Sequence, residues 1–152
     1  MKIAIGSDHA GYRHKELIKR FLTEAGHEVL DVSPAPPEAQ DDYPPLVRPA
    51  AEAVAQGRCQ RGIVLGGSGN GEAMVANRLR GVRCAVCWNV QSARLARAHN
   101  DANMLALGER MMDERTALEI VRTWLETPFE GGRHARRIAL IDPPAPGEPG
   151  MP

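Results

Sequence analysis

Five short apolar runs, each followed by a segment of helical spacing, constrain this chain of 152 residues more than any other feature. The runs fall at 2–6, 28–32, 62–65, 82–87 and 104–107. They are continuous, as in strands covered on both faces, and do not alternate as half-exposed strands do. The first intervening segment carries Leu17, Ile18, Phe21, Leu22 and Ala25 at helical spacing and stops at Gly26. Helices are also expected over 46–56, over the segment that begins with Ala73, and over 91–99. Asp113 predicts the cap of another, bearing Ala117, Leu118, Ile120, Val121, Trp124 and Leu125 and ended by Pro128. A last one is expected over 133–141.

This alternation predicts an α/β fold, a Rossmann- or flavodoxin-like three-layer αβα sandwich around a five-stranded parallel sheet. Residues 1–141 form one domain on this reading, long enough to bury a core. Residues 33–45 read as a proline-rich acidic loop, and the Pro/Gly-rich tail 142–152 is expected to be disordered.

Lys and Arg together number 19, as do Asp and Glu, so no net field recruits nucleic acid or a membrane surface. An anionic ligand must then be held by a local cluster of groups. Aromatic residues make up 4%, too few for a base-stacking platform, and no apolar stretch has the length of a membrane span. With no secretory leader evident, Cys59, Cys84 and Cys87 are expected as reduced thiols in the cytoplasm. Cys84 and Cys87 have C-x-x-C spacing, but on a strand those positions point to opposite faces, and no second pair completes a zinc site.

In parallel sheets ligands bind beyond the carboxyl ends of the strands. Asp8 and His9 follow the first strand, Ser68 and Glu72 the third, and Arg110 the fifth, so these residues are expected on one rim. His99 and Asn100 precede the fifth strand and are expected elsewhere in the monomer. If they act at the same site, a second subunit supplies them.

The segment Gly66-Gly67-Ser68-Gly69-Asn70-Gly71-Glu72 joins a strand to a helix start and offers backbone N–H groups to an anionic oxygen. No register of its glycines fits G-x-G-x-x-G, and Glu72 stands where a phosphate-binding loop carries lysine. A loop that stabilises negative charge beside a carboxylate suits proton abstraction next to a carbonyl. Glu72 fits equally the acidic preference of a helix first turn, and Ser68 a helix cap. Local hydrogen bonds can account for His9 and His99. Arg133 and Arg137 share a helical face and with Arg110 could clamp a phosphate, or could simply form a solvated basic surface.

Taken together, Gly6-Ser7-Asp8-His9-Ala10-Gly11, Asp42-Tyr43-Pro44, Gly66 through Glu72, Ala76-Asn77, His99-Asn100-Asp101, Gly108-Glu109-Arg110 and Gly132-Arg133-His134 resemble the ribose-5-phosphate isomerase type B family, which includes galactose-6-phosphate isomerase subunits. The resemblance spans about residues 1–141. It implies an aldose–ketose isomerase of a phosphorylated pentose, without metal or organic cofactor, working through a cis-enediolate. Many members use a loop cysteine as the base. Here that position is Gly67, which aligns this chain with the subgroup whose base is a glutamate, at Glu72. The resemblance further implies that Ser68 moves a proton between the sugar oxygens and that amides around Gly69, Asn70 and Gly71 hold the enediolate. It implies ring opening by His99 with Asp8, substrate contacts from Tyr43 and Asn100, and a phosphate site of His9, Arg110, Arg133 and Arg137. Homodimers or homotetramers with shared active sites are expected on the same ground. Isomerases of allose or galactose 6-phosphate share this chemistry. A non-catalytic phosphate- or nucleotide-binding module is the rival from another class.

Overall fold

Each of the five apolar runs becomes a strand. The computed structural model describes residues 1–144, and among these the chain forms β1 (Lys2–Ser7), α1 (Tyr12–Glu24), β2 (Glu28–Asp31), α2 (Tyr43–Ala55), β3 (Arg61–Gly66), α3 (Asn70–Ala76), β4 (Cys84–Val86), α4 (Val90–Asn100), β5 (Met104–Gly108), α5 (Glu114–Glu126) and α6 (Arg133–Ile138). Short 3-10 turns follow β1 at His9–Gly11 and β5 at Glu109–Met111. All pairings are parallel, in the order β2-β1-β3-β5-β4. From β1 the chain adds β2 on one side and β3 on the other, so the strand order reverses between β1 and β3, the place where an open α/β sheet forms its crevice.

Two apolar layers cover the sheet. On one face Ile3, Ile5, Ile63, Leu65, Leu105 and Leu107 meet Ile18 and Leu22 of α1, Ala93 of α4, and Ile120 and Trp124 of α5. On the other, Ala4, Val64 and Ala106 meet Val47, Ala50 and Val54 of α2 and Ala73 and Ala76 of α3. Small residues dominate this second face, so α2 and α3 lie close to the strands.

The local rules hold at most boundaries. Asp113 accepts the Thr116 amide at 2.8 Å, capping α5. Asn89 and Ser92 form a reciprocal capping box at α4. The start of α2 differs from expectation: it begins at Tyr43 instead of residue 46. Pro44 and Pro45 lie in its first turn, where a backbone N–H has no intrahelical acceptor and its loss costs nothing. β4 and α6 are shorter than expected. The tail begins attached to the body, because Asp142 Oδ2 accepts from the Gly81 amide at 2.9 Å and the Pro143 carbonyl accepts from Arg80. The rest of the expected disordered tail, 145–152, lies outside the described residues.

A buried ion cluster secures the β1 and β2 ends of the rim. Lys15, fully buried, donates to both carboxylate oxygens of Asp31 at 3.1 and 3.0 Å and to the Ser33 carbonyl at 2.6 Å. Lys19 reaches the same carboxylate at 2.8 Å, and Ser33 Oγ in turn accepts the Ser7 amide. Burial raises the Asp31 pKa, but Lys19 and Lys15 outweigh it and hold the group below the usual carboxylate value. The pair therefore stabilises the fold at neutral pH and loses that contribution only as the pH falls through this lowered value. Lys15→Met strands part of a buried charge network, and denaturant unfolding at pH 7 should show a loss of about 3 kcal/mol. A loss well under ~1 kcal/mol would mean that Lys19 alone suffices.

Candidate active site

The site is built where β1, β3 and β5 end. Gly69, at φ +83°, opens α3 in the left-handed region that glycine tolerates, and the turn brings Glu72 back onto the end of β3. Its carboxylate packs directly against Gly66, where any larger side chain would overlap it. Glu72 keeps only 4% of its surface exposed and Asp8 only 7%.

Asp8 is held by the turn that follows it, Oδ1 accepting the Ala10 amide at 2.9 Å and the Gly11 amide at 3.2 Å. Burial raises the pKa of both carboxyls. Asp8 adds to the rise at Glu72 by like-charge repulsion, while the Glu72 and Gly69 amides oppose it. Two buried carboxyls with raised pKa values thus share this rim, the charge of Asp8 reaching Glu72, a pattern common in acid–base sites.

The other groups on this rim are fixed by their neighbours. His9 Nδ1 lies 2.6 Å from Asp41 Oδ1, which also accepts the His9 amide at 3.0 Å. That pairing leaves Nε2 available to a ligand. The Tyr43 ring rests on Gly71, and Arg110 covers Gly67, whose carbonyl accepts the Arg110 amide at 3.1 Å. Ser68 Oγ accepts the Asn70 amide at 3.3 Å, so the hydroxyl does act at the helix start. Asn70 is engaged by Ser68 and Gly69 by Glu72, while the Gly71 amide lies in the first turn of α3, where a backbone N–H has no intrahelical acceptor. A cleft of about 590 Å³ lined by Ser7, Ser33, Asp41 and Asp42 adjoins this rim.

The remaining expected residues lie at the opposite rim. α4 leaves the carboxyl end of β4 and runs back, so His99 and Asn100 arrive just before β5 starts at Met104. The length of β5, roughly 16 Å at ~3.3 Å per residue, separates them from Gly108 and Arg110. α6 packs on this end of α4 through a stack of His99 on His134, with centroids 4.3 Å apart, and so carries Arg133 and Arg137 there too. A single chain therefore does not join Arg133 and Arg137 to Arg110, nor His99 to Asp8. Burial, Arg133 and His99 hold His134 below its ordinary pKa.

None of the three cysteines lies in the Gly66–Glu72 turn, although Cys84 is near enough to Glu72 for that carboxylate to raise its thiol further. Cys59 and Cys87 are buried, Cys84 is half-buried, and burial raises all three thiols, Cys87 to about 11. Asp41 was not singled out in the sequence. Its only signal is the Asp41-Asp42 pair ahead of Tyr43 in an otherwise proline-rich loop.

The sequence profile described as Ribose/Galactose Isomerase matches residues 3–141. The chain belongs to the ribose/galactose isomerase family. Within the family it is 42% identical to the ribose-5-phosphate isomerase B of Mycobacterium tuberculosis H37Rv, over 98% of both chains. It is also 42% identical to that of Escherichia coli K12, over 92% of this chain and 93% of the relative. The structure superposes on Clostridium thermocellum ribose-5-phosphate isomerase B with a TM-score of 0.90 and 51% identity, covering 93% of this chain and 95% of the other. It also superposes on the Mycoplasma genitalium enzyme with bound ribulose-5-phosphate, with a TM-score of 0.89 and 38% identity, over 92% and 93% of the chains.

Asp8→Asn keeps the Oδ1 acceptor and removes the charge. A folded-state pKa raised above the unfolded value costs stability above that pKa and nothing below the unfolded one. The variant should therefore melt higher than the parent at pH 7, with the difference vanishing toward pH 4. The Glu72 carboxyl, followed by carbon NMR, should titrate lower than in the parent. An unchanged Glu72 titration would contradict the pairing of these two groups.

Proposed function

We propose that this chain interconverts D-ribose 5-phosphate and D-ribulose 5-phosphate through a cis-enediolate, as an aldose–ketose isomerase. One observation carries the reading: Glu72 sits buried against the end of β3 beside a turn of backbone amides, in a chain whose relatives are ribose-5-phosphate isomerases. The pentose is supported by the Mycoplasma genitalium relative, described with bound ribulose-5-phosphate.

The reaction moves one proton between C2 and C1 and another between O1 and O2. Glu72 takes the C2 proton and returns it to C1. Burial and the nearby Asp8 charge raise its pKa, which makes its carboxylate a stronger base than that of an exposed glutamate. Ser68 relays the proton between the oxygens. Amides of the Gly67, Gly69, Asn70 and Gly71 turn, Gly71 foremost, stabilise the enediolate oxygen as it gains charge. Tyr43 contacts the sugar beside Gly71. His9, oriented by Asp41, and Arg110 bind the phosphate and anchor the substrate away from the reacting carbons. Acid–base groups suffice for these transfers, so no cofactor enters the scheme.

Ring opening by His99 with Asp8, and the contributions of Asn100, Arg133 and Arg137, require a second copy of the chain. Three exposed apolar residues near the β4 edge support such a contact: Met74, Trp88 and Val90 are 66%, 58% and 40% exposed. A homodimer, alone or paired into a tetramer, completes two sites at once. Three free thiols accord with a cytoplasmic enzyme of the pentose phosphate pathway, and no helix among the described residues is long and apolar enough to cross a membrane.

In deuterated water the parent enzyme should exchange the C2 hydrogen of ribose 5-phosphate with solvent. Glu72→Gln should slow both exchange and turnover by about 1000-fold, with phosphosugar affinity nearly kept. Near-normal turnover in that variant would overturn the assignment of the base.

A further inference from the structure

Two imidazoles and a carboxylate meet at the rim opposite Glu72. His99 closes α4, His134 lies on α6, and Glu130 precedes the turn between α5 and α6. Gly131 and Gly132 both take positive φ, +67° and +55°, folding Glu130 back toward His134 four residues later. The Glu130 amide donates to the Ala98 carbonyl at 3.0 Å, which ties the same turn to α4. Glu130 Oε2 then stands 3.7 Å from His99 Nε2 and 3.6 Å from His134 Nε2.

These separations are too long for hydrogen bonds and close to those within a metal's coordination shell. Ligand atoms ~2.1 Å from a tetrahedral centre lie roughly 3.4 Å from one another. All three donor atoms fall within 4.8 Å of each other. A second observation points the same way: His134 is only 6% exposed, and its buried Nε2 has no hydrogen-bond partner. Binding requires the stack of the two rings to open, and the half-exposed His99 ring is the one free to swing.

We propose that His99, Glu130 and His134 form an inhibitory site for a divalent transition metal such as Zn²⁺, leaving one coordination position to water. Two imidazoles and one carboxylate favour zinc, cobalt or nickel over magnesium or calcium. The bound ion clips α6 to α4 and withdraws His99 from substrate. It is no cofactor of the isomerisation, and its inhibitory effect rests on the proposed role of His99. The site itself does not.

The test uses the full-length enzyme stripped with EDTA and titrated with Co²⁺ or Zn²⁺. Co²⁺ should give a visible d–d spectrum saturating at one ion per chain, Zn²⁺ should raise the melting temperature, and Zn²⁺ should inhibit turnover reversibly by EDTA. Glu130→Gln should keep metal-free turnover within about twofold while weakening Co²⁺ binding and Zn²⁺ inhibition at least tenfold. His134→Gln should weaken both in the same way. Metal binding unaffected by either substitution, a thiolate-to-cobalt charge-transfer band placing the ion on cysteine, or bound Zn²⁺ that leaves turnover unchanged would each overturn the proposal. A chain that binds Co²⁺ through Glu130 yet never isomerises ribose 5-phosphate would retain the metal site and lose the assigned activity and its inhibition.

Discussion

A parallel sheet delivers every strand end to one rim, and the helices carry the chain back to the other. That constraint governs where chemistry can be assembled in this protein. Asp8, His9, the Gly66–Glu72 turn and Arg110 share a rim because each follows a strand. His99 and Asn100 end a helix, and the helix bearing Arg133 and Arg137 packs beside that end. Packing of side chains within one chain cannot move the second group to the first. Two copies of the chain can bring the two rims together.

On the rim of strand ends, close backbone approach and burial set the electrostatics of Glu72. Gly66 admits the Glu72 carboxylate into space that any side chain would fill, and this removes the carboxylate from water. Burial then raises its pKa, and Asp8 raises it further. The Glu72 and Gly69 amides oppose the rise without cancelling it, so the carboxylate gains basicity. The Lys15–Asp31–Ser33 cluster beneath holds the end of β1, and with it Asp8, in register with this carboxylate. The rim thus carries two kinds of buried charge, a paired one in the Lys15–Asp31 cluster and like charges at Asp8 and Glu72.

Much of this was legible in the sequence. The five strands followed from continuous apolar runs, and the helix ends at Asp113 and Gly26 from residue type. The rim composed of Asp8, His9, Ser68, Glu72 and Arg110 followed from position after strands, as did the separate location of His99 and Asn100. Other features had no local signal. The order β2-β1-β3-β5-β4 depends on β5 inserting between β3 and β4, a choice made by tertiary packing. The start of α2 was obscured because prolines normally mark a loop, whereas Pro44 and Pro45 occupy the first turn of a helix, and a third proline, Pro49, lies inside it. Asp41 lacks periodicity of any kind, and its role appears only once the loop folds over His9. The meeting of Glu130 with two histidines needs the double-glycine turn and the packing of α6 on α4 together.

Subunit mixing tests the divided site most directly. Chains carrying Glu72→Gln and chains carrying His99→Asn, each weak on cyclic ribose 5-phosphate when alone, are combined and the hybrid species isolated by distinct tags. A hybrid dimer holds one site with both residues intact and one with both replaced. The account predicts recovery to about half of the parent activity per hybrid dimer. Hybrids no more active than the sum of the two variants would contradict a site assembled from two chains.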